Sequence, residues 1–78
     1  MTIMQALILA LTGMGDNYTM SATHDGQPHI VTERGISVIS TTHGWGVEMW
    51  RSDWDDAIKV YTVVDALRII IADYPEYC

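Results

Sequence analysis

Phenylalanine is missing from this 78-residue chain, proline occurs twice, and the single cysteine is Cys78. One thiol cannot close an intramolecular disulfide, so the chain is not a stapled secreted scaffold, and a reducing cytoplasm is the expected compartment. Basic residues are scarce, four Lys and Arg against ten Asp and Glu, for a net charge of −6. Four scattered cations make no nucleic-acid patch. Direct binding to nucleic acid or to an anionic membrane is disfavoured, while a basic partner, or simple solubility, is favoured. Long hydrophobic runs are also lacking. The most apolar stretch, residues 2–12, is too short to span a bilayer, and it has neither a basic residue before it nor a clear small-residue cleavage site after it, which argues against a signal peptide.

Catalytic signatures are absent too. There is no G-x-S-x-G turn, no threonine at the N-terminus and no phosphate loop. Gly13-Met14-Gly15 has the first two glycines of a nucleotide loop, but it follows a helical pattern and lacks the third. Asn17-Tyr18-Thr19 matches a glycosylation acceptor, a tripeptide frequent by chance. The expectation is therefore no enzyme and no cofactor.

What is present is apolar material, 49% of residues, with only 18% charged. A chain this small forms one domain, 1–78, and cannot easily hide so much apolar surface. Some of it is expected to meet another chain, a second copy in a homodimer or a different partner.

Patterning gives an α+β reading. Thr2 with Gln5 fits a capping box and Gly13 a helix stop, so 2–12 reads as a short helix, apolar on nearly every face. From Asn17 the period changes to two. Tyr18, Met20 and Ala22 alternate with Thr19, Ser21 and Thr23, a turn follows at 24–27, and a second strand covers 29–33 after Pro28. Arg34-Gly35 turns into a third strand, 36–42, and His43-Gly44 into a fourth, 45–51, with Trp45, Val47 and Met49 on one face and Gly46, Glu48 and Trp50 on the other. Residues 52–74 read as a long helix capped by Ser52 with Asp55, in which Trp54, Ala57, Val60, Tyr61, Val64, Leu67 and Ile71 share an apolar arc opposite Asp55, Lys59, Thr62, Ala66 and Asp73. The β-branched Ile58, Val60, Thr62 and Val64 offer a strand instead, but Val63 breaks the alternation and no turn residue interrupts the segment. The expected architecture is a short N-terminal helix, a four-stranded antiparallel β-meander and a long C-terminal helix packed on the sheet.

Three constellations carry chemistry. His24 and His29 flank a turn beside Asp25 and could begin a metal site, but a fourth ligand would have to come from His43 or Cys78, and the spacing matches no zinc signature. Loop histidines that hydrogen-bond and titrate near neutrality fit equally. Glu48, two residues from Trp50, could act as a general base if desolvated, or be an ordinary surface carboxylate.

The third constellation is acidic. Glu48, Asp53, Asp55 and Asp56 fall within nine positions, at the corner where the last strand becomes the helix, and on a helix Asp53 and Asp56 would stand about 5–6 Å apart. Trp50 and Trp54 beside them are the aromatic type that interface cores favour. Asp73 and Glu76 form a second acidic end. The alternative is structural, with acids complementing a helix dipole, Asp55 paired to Lys59 and Trp54 in the core.

Length, net charge, the lone Cys78 and the acidic corner 48–56, EMWRSDWDD, together resemble the small phage-encoded anti-CRISPR proteins. That group shares no fold or motif, so the resemblance implies a class of function and no residue roles. It implies a non-enzymatic inhibitor in a bacterial host's cytoplasm, a DNA mimic whose partner is a basic protein or nucleoprotein complex such as a CRISPR effector. The partner-binding candidates are Glu48, Trp50, Asp53, Trp54, Asp55, Asp56, Asp73 and Glu76. The competing readings are a homodimeric interaction protein that buries its N-terminal helix, and a small histidine-based metal protein.

Overall fold

The first helix, α1 (Ile3–Met14), is fixed at both ends by local chemistry. The Thr2 hydroxyl accepts from the Gln5 backbone N–H while the Gln5 side chain accepts from the Thr2 N–H, satisfying two of the donors a helix N-terminus leaves open. The far end runs through Gly13 and stops at Gly15, whose left-handed backbone lets its N–H reach Leu11 and Thr12 carbonyls. Met4, Leu7 and Leu11 form the buried face, whereas Leu9 on the opposite side is 60% exposed, so the helix is an outer layer and is not sandwiched.

The computed structural model describes residues 2–41 and 46–72. Among them, α1 is followed by β1 (Thr19–Ala22), β2 (Pro28–Val31), β3 (Ser37–Ser40), β4 (Val47–Trp50), β5 (Ile58–Val60) and α2 (Val63–Ala72). The strands make one antiparallel sheet in sequential order, a meander as expected but with five strands in place of four. Alternate residues Ile30, Val38, Val47, Met49 and Val60 point to one side, where they pack with Met4, Leu7 and Leu11 of α1 and Ala66, Ile69 and Ile70 of α2. Both helices therefore cover the same sheet face.

The first two hairpins use the same five-residue device, Thr23-His24-Asp25-Gly26-Gln27 and Thr32-Glu33-Arg34-Gly35-Ile36. In each, the threonine hydroxyl accepts from the backbone N–H four residues on, and the glycine N–H donates to the threonine carbonyl. Each glycine has a positive φ, 82° at Gly26 and 89° at Gly35, as a turn closed by a glycine bulge requires.

The segment expected to be one long helix divides. Ser52 to Asp56 is a loop, begun by a turn in which Trp54 N–H donates to the Arg51 carbonyl. Ile58, Lys59 and Val60 then join the sheet, Met49 opposite Ile58 and Val47 opposite Val60. The pattern of a hydroxyl residue followed three positions later by an aspartate occurs twice, at Ser52 and Thr62, and the second is the one used: Thr62 accepts from the Asp65 N–H at the start of α2. Burial of Val60 in the core rewards strand pairing in a way no isolated helix propensity can match. The helix face is changed as well. Ala66, Ile69 and Ile70 are buried, while Val64 and Ile71, expected on the core arc, are each 62% exposed.

Gly46 marks the tightest point of the sheet. A Cβ there would lie 2.4 Å from the Val60 carbonyl oxygen and 3.0 Å from Tyr61 Cδ1. Gly46→Ala is expected to cost roughly 2–3 kcal/mol by overpacking against backbone, and Gly35→Ala about 1 kcal/mol by forcing a positive φ on alanine. Thermal denaturation followed by circular dichroism measures both, and equal effects would show that the approach of β4 to β5 at Gly46 is not limiting.

Candidate functional site

Strand register decides what the second sheet face displays. Ser21, His29, Ile39, Glu48 and Lys59 lie in one row across all five strands, and Thr19, Val31, Ser37 and Trp50 in the next. All of these are exposed or half-buried, and among the described residues no helix or strand lies over them. Trp50 crosses β3 above the small Ser37 paired with it, and its ring meets His29 of β2 with centroids 5.7 Å apart and planes tilted by 31°. His29 Nε2 is out of solvent contact and has no hydrogen-bond partner among the described residues. Glu48 stands directly opposite Lys59, an opposite-charge cross-strand pair.

The same meander gathers charge at one end. Turns alternate between the two ends of an antiparallel sheet, so the 51–57 loop shares its end with the 32–36 turn and with the connection from α1 to β1. Asp16 and Glu33 clasp each other's segments there: Asp16 accepts from the Glu33 N–H at 3.1 Å, and Glu33 accepts from the Asn17 N–H at 3.1 Å. Five acids, Asp16, Glu33, Asp53, Asp55 and Asp56, thus meet two cations, Arg34 and Arg51, at the end of the sheet where Trp50 also lies.

The loop itself is held by Arg51. Its guanidinium grips the Asp53 carboxylate at both oxygens, Nε to Oδ1 at 2.5 Å and Nη2 to Oδ2 at 2.8 Å, and sits 5.8 Å from the Trp54 ring centroid. The hydrogen bonds from Arg51 hold the Asp53 carboxyl below the ordinary aspartate range. The Thr23 hydroxyl does the same for Asp25 in the first hairpin. Trp54 packs against the core, and its indole N–H has no hydrogen-bond partner among the described residues.

The sequence candidates therefore separate. Glu48 and Trp50 lie on the uncovered sheet face, and Asp55 and Asp56 project from the adjoining loop with no ion pair among the described residues. Asp53 is exposed but paired to Arg51, and Trp54 anchors the loop to the core. The expected helical spacing of Asp53 and Asp56 and the helical pairing of Asp55 with Lys59 do not occur, because these residues span a loop and a strand. Asp73 and Glu76, like His43, Trp45 and Cys78, fall outside the described residues. His24 lies in the hairpin turn and His29 on β2 against Trp50, and among the described residues no group of three or more His, Cys, Asp or Glu could hold a metal ion. Two contributors escape a linear reading, Asp16 and Glu33, since only the meander brings them to the same sheet end as residues 53–56. Counting turns by alternate ends is the signal that finds them.

With Arg51→Gln, the Asp53 carboxyl is expected to titrate at higher pH than in the parent, since its lowered value comes chiefly from that guanidinium. A side-chain NMR titration reads this directly, and an unchanged midpoint would show that Arg51 does not hold the loop in solution. Among the described residues no helix is long and apolar enough to cross a membrane. Comparison of the chain with protein-family models, with curated proteins and with solved structures returns no match.

Proposed function

We propose that this domain is a non-enzymatic binding protein that engages a basic, nucleic-acid-binding protein or nucleoprotein complex. The observation that carries the reading is the position of Trp50, a large aromatic on an uncovered sheet face, next to the end of the sheet where Asp16, Glu33, Asp55 and Asp56 collect. Each part has a separate physical task. Carboxylates gathered at one end of the sheet suit a surface built for phosphates, speeding encounter and setting register. Trp50 supplies the desolvated contact that slows dissociation, and its stacking on His29 already limits the rotamers it would lose on binding. Arg51, by restraining Asp53 and Trp54, keeps the loop in one shape for docking. Obstruction of DNA binding, as the resemblance to anti-CRISPR proteins implies, is the mode of action that fits an acidic surface with an aromatic beside it.

Capture from a bacterial lysate on the immobilised chain, followed by elution with duplex DNA or with salt, tests the reading. The expected captive is a nucleic-acid-binding protein that either eluant releases, because screening beyond about 8 Å at physiological salt weakens exposed charge pairs. Asp55→Lys with Asp56→Lys, and separately Trp50→Ala, should each weaken capture about tenfold or more while leaving the far-UV spectrum unchanged. A captured protein that duplex DNA fails to displace, or that binds the variants as tightly as the parent, overturns it.

A further inference from the structure

The outer surface of the helical layer is apolar and electrically neutral, in contrast to the rest of the chain. α1 carries no charged residue, and α2 carries one of each sign, Asp65 and Arg68, so neither helix contributes net charge. Large apolar side chains stand in solvent on this same layer: Val64 and Ile71 at 62%, Leu9 at 60%, and Tyr61 at the entrance to α2 at 62%. Met14 at the end of α1 and Ile71 at the end of α2 line one shallow groove with Ile70, Asp16, Glu33 and Arg34, so the exposed apolar residues of the two helices adjoin at one end of the layer, beside charged side chains. Tyr61, Val64, Arg68 and Ile71 follow a spacing of three, four and three, the stripe by which one helix packs on another.

We propose that this layer is the contact with a second copy of the chain, formed about a two-fold axis with α2 antiparallel to its counterpart. Charge selects the occupant. Two molecules of net charge −6 repel most through the acidic sheet end, and the helical layer, where Asp65 and Arg68 cancel, lets them approach with less of that penalty. The α2 sequence is also self-complementary. With the axis between Leu67 and Arg68, Val64 of one copy opposes Ile71 of the other. Residues on the same flank of an antiparallel pair face each other, so Arg68 comes within about 3 Å along the axis of the other copy's Asp65. Within one chain Arg68 and Asp65 are only at the limit of contact, 4.0 Å, with Arg68 72% exposed, which leaves the guanidinium free to bridge both copies. The layer is about 18 Å long, set by the 12 residues of α1, and two helices or roughly 20 Å wide, which places the interface below the standard size and the dimer among weak, concentration-dependent ones. The pair leaves both open sheet faces directed outward, so the partner surface around Trp50 is presented twice.

Sedimentation velocity on the full chain from micromolar to millimolar concentration tests this. The parent is expected to pass from monomer to dimer on concentration, and Val64→Asp with Ile71→Asp, both exposed in the single chain, to remain monomeric with an unchanged far-UV spectrum. Arg68→Asp should weaken the dimer about tenfold, and adding Asp65→Arg should restore it to within a few-fold, because the swapped pair is again reciprocal. A parent that stays monomeric throughout, a dimer that survives in the Val64→Asp, Ile71→Asp variant, or a charge swap that fails to restore association each overturns the proposal. Capture of the basic partner is read separately through Trp50, Asp55 and Asp56, none of which the dimer variants change.

Discussion

Pairing of β5 with β4 is the constraint from which the remaining geometry follows. Once Ile58 and Val60 lie opposite Met49 and Val47, with the backbones so close at Gly46 that no side chain fits, residues 51–57 can only be a loop at the end of the sheet. The helix must then begin at Thr62, and its ten residues cover the sheet with Ala66, Ile69 and Ile70. The core gains Val60 by this arrangement. The acidic residues lose any helical spacing and become side chains at a sheet end, where Asp53 is tied to Arg51 and Asp55 and Asp56 are free to project.

A meander with both helices on one side has two unlike surfaces, and charge is divided between them. The helical side is apolar apart from the Asp65 and Arg68 pair, and among the described residues the remaining charges lie on the sheet, its turns and its loops, together with Trp50 and His29. The two proposed contacts differ accordingly, one governed by apolar burial and one by electrostatics and an aromatic anchor. Had α2 kept the expected 23-residue length, its N-terminal turns would have carried Asp53, Asp55 and Asp56 onto the helical layer and mixed the two surfaces.

Much of the local structure could be read from residues. Thr2 and Gln5 announced the first helix, the change of period at Asn17 announced the sheet, and Val47 with Met49 were assigned to the core side opposite Glu48 and Trp50. Glycine 26 and glycine 35 stood where turns were expected. Misreading began at residue 52, because Ser52 to Asp55 and Thr62 to Asp65 present nearly the same cap, and the three-residue strand between them is too short to show a convincing alternation. The error carried into the helix face. Val64 and Ile71 fall on the buried arc only if Trp54 and Val60 belong to the same helix, whereas Leu67 packs against the core as expected.

The sequence by itself determined the α+β class, the first cap, the hairpin turns, the sidedness of β4 and the strongly negative charge, because each depends on neighbours within a few positions or on composition alone. Tertiary structure decided the fifth strand, the start and buried face of α2, and the placing of Asp16 and Glu33 at the same sheet end as the 51–57 loop. Those outcomes depend on which long-range pairing buries more apolar surface, and a cap or a β-branched run carries no record of the strand it will meet.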